Sequence, residues 1–531
     1  MRVLNSEVSI SPSKSWGAVL ALIIVAAIAL RLHWASGFHP ADGAEYARVA
    51  HEILKGTFDY ARYNGVPIIP VRTGVVLPTL VSMALFGPSE VQLELYPLFM
   101  SVVMILLVYL FSARMFGHAA ARIASIIWVF LPIEIDLATT LYPEVPATAF
   151  AFAGIYWIYI ARSRAHVENR SKLLYGLLAG LAFGAAWLCK ASVVYFVPFC
   201  LTLILLDFRK SRFREVRLWA SVATGSLIVL LGEMLVYGIS NGDWLYRFTA
   251  IQENYEQLPQ FFFTEGAVFG YESGVPFWAA VIKRIIFDGP AMIFLSASFL
   301  FLPSIGTVAA LRGLYRGDHR FYFMAGLLAV LIVMSNFSSA SLEHYQPMPL
   351  FTRYFYPICV PAVILTGGMV ADLVPWGHIR SVLHEHTESM FWGGVVIFLL
   401  GMQIGWSTFR QLRDDAGPWA AAEKYLAGTV LSPSDRIHTD ALGRNALEFF
   451  WRYPDEMNIS VYGEPGRQPA VRCNDYVLRN ISYDHWLTIR PGMWLNFGGF
   501  EVPSAVTEPP KNWDIVWTNQ NATLFKMVCQ S

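Results

Sequence analysis

Four residues have the types and settings to do chemistry at a membrane surface. Asp42 opens the run Asp42-Gly43-Ala44-Glu45-Tyr46 just after the first apolar segment. A carboxylate held there can take a proton from an acceptor hydroxyl, which is the task of a general base. The same run also reads as a capping box, with one acid satisfying backbone N–H groups at a helix start and a second acid three residues on. Glu144, in Leu141-Tyr142-Pro143-Glu144-Val145-Pro146, stands between an apolar run and the next. Ionisable groups at membrane depth are costly and therefore functional candidates, although open water at a loop would also accommodate it. Lys190, in Trp187-Leu188-Cys189-Lys190-Ala191, and Arg353, in Phe351-Thr352-Arg353-Tyr354-Phe355, are isolated cations at span ends. A departing lipid-linked phosphate needs cations, because negative charge develops on it in the transition state. Snorkelling of a long basic side chain is the competing explanation for each.

The elements that position these residues must be membrane helices. Of 531 residues, 55% are hydrophobic and 15% charged, against about 25% charged in soluble chains. Such apolar material has to be hidden in lipid. Lys and Arg are enriched in cytoplasmic loops, so the clusters at Arg114 with Arg122, Arg162 to Lys172, Arg209 to Arg217 and Arg312 to Arg320 are placed on the cytoplasmic side. Spans at 16–32, 92–113, 119–133, 143–161, 174–190, 191–207, 217–239, 290–311, 321–336, 353–375 and 390–409 satisfy this register. They give eleven crossings. The first apolar run is followed by Arg31-Leu32-His33-Trp34 rather than small residues, which predicts an uncleaved first helix.

Two large external loops result, at 33–90 and 240–288. In the first, Tyr46, Val49, Ala50, Ile53 and Leu54 recur at helical spacing, with Glu45, Arg48, Glu52 and Lys55 opposite. This predicts an amphipathic helix lying along the membrane surface. Asn64-Gly65, Pro67 and Pro70 mark a turn, and 74–86 is apolar but short for a span. The second loop carries Trp244, Tyr246, Phe248, Tyr255, Phe261 to Phe263 and Tyr271 among acids. Rings beside acids suit a ring-shaped polar ligand, and an interfacial aromatic belt explains them as well.

After Arg410 the composition becomes that of a soluble domain. Residues 1–410 are expected to form a transmembrane module and 411–531 a small extracytoplasmic α/β domain, with helices at Ala420 to Leu426 and Ala441 to Trp451. A strand is expected at Arg436 to Thr439, and a hairpin from Trp513 to Trp517 and Thr523 to Met527. Cys189, Cys200 and Cys359 fall in apolar spans, whereas Cys473 and Cys529 can pair if the tail faces an oxidising compartment. Asn458, Asn480 and Asn521 open Asn-x-Ser/Thr sites, which are acceptors only in a eukaryotic secretory setting.

Net charge is zero and no dense basic face appears, so no nucleic-acid partner is expected. No nucleotide-binding loop, zinc-protease motif or nucleophile elbow is present. A multi-span lipid or solute transporter or flippase is the rival reading, but those usually show internal repeats, whereas here the acids gather in external loops.

Several runs, taken in order, resemble the GT-C glycosyltransferases of the protein O-mannosyltransferase and lipid A aminoarabinose transferase superfamily. They are Asp42 to Gly56, the short apolar element ending Leu85-Phe86-Gly87, Leu107 to Gly117, Tyr142-Pro143-Glu144, Gly180 to Lys190, Gly242 to Arg247 and Arg353 to Pro357. The resemblance spans roughly residues 16 to 410 and implies a polytopic all-α membrane protein of GT-C architecture. It implies transfer of a sugar from a polyprenyl-phosphate donor, with inversion, to an acceptor hydroxyl on a lipid, polysaccharide or protein at the extracytoplasmic face of a bacterial inner membrane. Asp42 would then be the acceptor-side base, Glu144 a second acid in the cavity, and Lys190 and Arg353 the phosphate contacts. Glu45, Tyr46, Tyr142 and Tyr354 are accessory candidates. Gly43 stands where the family frequently has an acid following the first. The resemblance fixes no cofactor, and a divalent cation requirement stays open.

Overall fold

The structure is a computed structural model that describes residues 14–35, 38, 42–60, 63, 66–163, 169–211, 215–257, 277–339, 345, 348, 350–374, 417–461, 471–480, 509–519 and 522–528. Its first sixteen helices run α1 Lys14–His33, α2 Asp42–Lys55, α3 Thr73–Phe86, α4 Glu90–Phe116, α5 His118–Val129, α6 Pro132–Leu137, α7 Glu144–Ser163 and α8 Asn169–Cys189. They continue with α9 Val197–Ser211, α10 Val216–Ser240, α11 Tyr246–Gln257, α12 Phe277–Lys283, α13 Gly289–Leu295, α14 Leu302–Tyr315, α15 His319–Phe337 and α16 Tyr356–Leu373. Among the described residues seven helical stretches are long and apolar enough to cross a membrane, and four shorter apolar helices join them. The protein is an integral membrane protein.

Most expected spans correspond to helices, and the differences have physical reasons. The stretch expected at 290–311 is two helices, because Leu300 and Phe301 adopt left-handed backbone, at φ 51° and 55°, between α13 and α14. Each such residue costs about 1–2 kcal/mol, so the break is held by its surroundings. Phe299 and Leu302 on either side are fully buried in the main core. The apolar run at 74–86 forms α3, of 14 residues. The expected span at 390–409, Asn64-Gly65, Phe261 to Phe263, Tyr271, Asn521 and Cys529 lie outside the described residues.

The main core runs through α4, α5, α7, α15 and α16, around Trp128, Phe111, Phe152, Phe355 and Tyr356. Helices α8 and α10 touch along their backbones. A Cβ on Gly180 would lie 2.1 Å from the Val222 carbonyl oxygen, so only glycine permits this approach, as is usual between membrane helices.

In the C-terminal part, helices α17 Gly417–Thr429 and α18 Ala441–Phe450 accompany five strands: β1 Ile437–Thr439, β2 Ile459–Val461, β3 Tyr476–Asn480, β4 Trp513–Thr518 and β5 Ala522–Met527. The sheet order is β2-β1-β3-β5-β4. β1 is parallel to both β2 and β3, and β5 is antiparallel to β3 and β4. The expected helices, strand and hairpin are all present. Cys473 is disulfide-bonded.

The amphipathic helix α2 forms where expected but does not lie with a polar face in water. Every residue from Gly43 to Ala50 is buried, including Glu45 and Arg48. Its apolar side packs with α3 residues Val75, Val76 and Met83, and Phe449 and Tyr453 from α18 and beyond join the same cluster. Glu45 and Arg48 meet the C-terminal part rather than solvent, which the residue pattern along α2 alone could not reveal.

Candidate active site

Helix starts and helix breaks bring the site together. Asp42 is the first residue of α2 and Glu144 the first of α7. Lys190 has extended backbone, φ −158° and ψ 133°, between the end of α8 and the 3₁₀ turn Ala191–Phe196. Arg353 lies in the 3₁₀ turn Thr352–Phe355 that leads into α16.

The four converge. Lys190 Nζ donates to Glu144 Oε1 at 2.7 Å. Arg353 Nε lies 3.5 Å from the same oxygen, and its Nη2 is 3.3 Å from Asp42 Oδ2. Glu144 is 3% exposed, which removes the open-water explanation. Lys190 is 7% exposed and paired, so it is not snorkelling. Glu144 Oε2 is buried with no hydrogen-bond partner among the described residues. A buried carboxylate oxygen left unmatched is expensive, and it marks where a hydroxyl or other donor would be received.

Aromatic rings face both cations. Lys190 Nζ stands 3.8 Å from the Tyr354 ring centroid, and the Arg353 guanidinium lies 4.3 Å from that of Tyr142. Electron-rich faces favour cations, so the two tyrosines help hold Lys190 and Arg353 in place.

A third cation joins this group, and it was not among the residues singled out from the sequence. Arg72, just before α3, donates from Nη1 to the Tyr46 hydroxyl at 2.6 Å and is 7% exposed. Burial pushes the Tyr46 hydroxyl above its ordinary range even though Arg72 opposes this, so Tyr46 stays neutral. Arg72 also acts electrostatically on Glu144 and Lys190. Its signal in the sequence is the one that marked Lys190 and Arg353: a lone cation bordering an apolar run.

Gly74 makes the arrangement of Arg72 possible. A Cβ there would come within 2.7 Å of Cys189 Sγ and 2.9 Å of the Cys189 backbone nitrogen. The head of α3 is thereby pressed against the end of α8, one residue from Lys190. Tyr96 closes the contact by donating to the Gly74 carbonyl at 2.7 Å.

Glu45 belongs to a different node. Its Oε2 accepts from Arg48 Nη2 at 2.8 Å and from the Tyr63 hydroxyl at 2.9 Å, while Oε1 accepts from Asn445 Nδ2 on α18 at 2.9 Å. Burial alone would raise its carboxyl, but Arg48 and Arg444 with these hydrogen bonds hold it below the ordinary carboxylate value. Glu45 therefore fastens α2 to the C-terminal part rather than turning back to cap the helix as the capping-box pattern implies.

Behind Arg353 lies a fully buried network. Arg31 of α1 donates from Nε to Ser101 Oγ at 2.7 Å and from Nη2 to Glu134 Oε1 at 3.2 Å, and Ser101 donates to the same carboxylate oxygen at 2.5 Å. Tyr356 at the head of α16 donates to Glu134 Oε2. The start of α16, and with it the Arg353 turn, is thus tied to α1, α4 and α6. Among the described residues no group of three or more His, Cys, Asp or Glu side chains is placed to hold a metal ion.

Most of the chain aligns with solved structures. ArnT from Cupriavidus metallidurans is similar over 97% of this chain and 99% of its own, with a TM-score of 0.59 for the apo state and 0.61 for the state bound to undecaprenyl phosphate, at 14% identity in both. The chain has the GT-C fold. The oligosaccharyltransferase of Archaeoglobus fulgidus, in its apo form, shares this GT-C fold at 13% identity and a TM-score of 0.53, over 88% of this chain and 70% of its own. A family described as dolichyl-phosphate-mannose-protein mannosyltransferase matches residues 79–234, a stretch of the GT-C module that holds Glu144 and Lys190 but not Asp42 or Arg353. No curated protein matches by sequence.

Proposed function

We propose that this protein is a glycosyltransferase that moves a sugar from a polyprenyl-phosphate carrier to an acceptor hydroxyl at the extracytoplasmic membrane face, with inversion. The observation that carries the reading is the meeting of Lys190 and Arg353 on Glu144, with Asp42 on the far side of Arg353. Three cations, Arg72, Lys190 and Arg353, face two carboxylates, Asp42 and Glu144, so the group retains one positive charge to offer an anion.

In this reading the donor phosphate binds to the cations, and the acceptor hydroxyl oxygen attacks the anomeric carbon. The bond from that carbon to the phosphate oxygen breaks, its electron pair leaving with the lipid phosphate. Asp42 takes the hydroxyl proton as general base, a role worth roughly 10²–10⁴-fold. Lys190, Arg353 and Arg72 stabilise the charge developing on the leaving phosphate. Glu144 keeps Lys190 and Arg353 in place and presents Oε2 to a sugar or acceptor hydroxyl. Tyr142 and Tyr354 back the cations, and Tyr46 orients Arg72. Residues 1–410 supply this chemistry, and 411–531 form an external cover on α2.

ArnT bound to undecaprenyl phosphate and a dolichyl-phosphate-mannose family match support a polyprenyl-phosphate carrier. The test is to incubate purified protein with radiolabelled polyprenyl-phosphate sugars and membrane extract. Label moving to lipid, polysaccharide or protein supports the reading and identifies the acceptor. Movement of intact lipid across the bilayer with no sugar transfer would make the protein a flippase instead.

A further inference from the structure

Outside the site, one buried ion pair has contacts that are hard to explain as bundle stabilisation alone. Arg247 of α11 pairs with Glu233 of α10 at 2.5 Å, and the two side chains are 4% and 5% exposed. The guanidinium is not spent only on that carboxylate. Nη1 also donates to the Val71 carbonyl at 2.8 Å, and Nη2 donates to the Trp187 carbonyl. Val71 precedes Arg72 directly, and Trp187 lies in the last turn of α8, before Lys190. One planar group therefore grips the backbones of two segments that each carry a site cation.

Its surroundings fix its orientation. Glu233 Oε2 accepts from Trp187 Nε1 at 2.8 Å, and the Tyr237 hydroxyl, one helical turn on, lies 3.2 Å from both Glu233 Oε1 and the Val71 carbonyl, with its one proton shared between them. The guanidinium stacks over the Trp187 ring at 4.6 Å. Arginine suits this task because its rigid fork reaches several acceptors in one plane, whereas an ammonium is a point donor.

We infer that Arg247, oriented by Glu233, is a positioning residue that sets the spacing of Arg72 and Lys190 for a phosphate, acting through the Val71 and Trp187 carbonyls. The inference rests on the proposed phosphate-binding role of those cations. It carries a specific signature: the effect of Arg247 must pass through Arg72 and Lys190. Residues that act as a unit give non-additive losses, whereas a general packing role adds to any other defect.

The experiment uses the full-length protein in lipid nanodiscs and two readouts. Binding of undecaprenyl phosphate is measured for wild type, Arg247→Gln, Arg247→Lys, Arg72→Ala, Lys190→Ala and the double variants. Arg247→Gln is expected to weaken binding about tenfold in the wild-type background and by less than about twofold once Arg72 or Lys190 is alanine, with Arg247→Lys intermediate. Equal losses in all backgrounds overturn the inference. Hydrogen–deuterium exchange without ligand is the second readout. Arg247→Gln should speed exchange in peptides covering both 70–75 and 186–191, and unchanged exchange there overturns the clamp. If wild type and Lys190→Ala bind the lipid phosphate equally, the functional reading fails, and the exchange readout still decides whether the clamp exists.

Discussion

Lys190 and Glu144 form a 2.7 Å ion pair between a break in one helical hairpin and the first residue of another helix, with both side chains almost wholly buried. Removing one partner of such a pair leaves an uncompensated buried charge and costs about 3–5 kcal/mol, whereas removing both costs much less. Glu144→Gln and Lys190→Met should each lower the melting temperature, and the double variant should recover part of that loss while remaining inactive. Thermal unfolding in detergent together with a transfer assay separates the two effects. Additive destabilisation would mean that the pair is not coupled.

Gly74 offers a test by steric insertion. A methyl group there meets Cys189 at 2.7 and 2.9 Å, closer than side-chain carbons approach backbone, and such overpacking costs about 1–3 kcal/mol. Gly74→Ala should push the head of α3 from the end of α8 and weaken lipid-phosphate binding through Arg72. Fluorescence titration with polyprenyl phosphate checks this, and unchanged affinity would separate Arg72 from the phosphate site.

The junction between α2 and α18 should be acid-sensitive. Glu45 is held below its ordinary value of 4.5 against the pull of burial. A depressed carboxylate contributes stability that is full above its unfolded value and lost as pH falls through the folded one. Glu448, in the same junction, is raised by burial and contributes with the opposite sign. As pH falls below about 4.5 the Glu45 contribution is progressively lost, so proteolysis within 417–461 should rise over that range in wild type. Glu45→Gln should be more susceptible at neutral pH and flatter with pH over that window. Asn445→Leu, which deletes the donor to Glu45, should lose about 1–3 kcal/mol at neutral pH.

The network behind Arg353 predicts a split between stability and affinity. Tyr356→Phe removes one donor to the buried Glu134, and hydrogen bonds to charged groups are worth about 1.5–3 kcal/mol. The variant should melt earlier and show a raised KM for the lipid donor with a smaller change in kcat, since the Arg353 turn directly precedes Tyr356. A drop confined to kcat would place Tyr356 in another role.

Much of the helical layout was legible, because apolar length and loop charge constrain membrane helices strongly. The candidate residues were legible for a related reason: Asp42, Glu144, Lys190 and Arg353 each stand where an ionisable group borders an apolar run. Their convergence was not legible, since it depends on how four separate helix ends pack. Arg72 borders an apolar run in the same way, but it closes a Pro-containing turn, whose connecting character masks that signal. Glu45 illustrates the limit of local pattern. Its spacing from Asp42 fits a capping box, yet its carboxylate is claimed by Asn445, 400 residues away. The break at Leu300 and Phe301 carries no glycine, so tertiary packing overrides an apolar run that reads as one span.

The central claim, that Asp42 is the base facing a lipid-phosphate site, is tested most directly by Asp42→Asn. The substitution keeps the shape and the ability to accept a hydrogen bond from Arg353 but removes the basic carboxylate. Transfer from a radiolabelled polyprenyl-phosphate sugar should fall by about 10²–10⁴-fold while binding of the lipid phosphate is retained. An Asp42→Asn protein that transfers sugar at the wild-type rate would contradict the account.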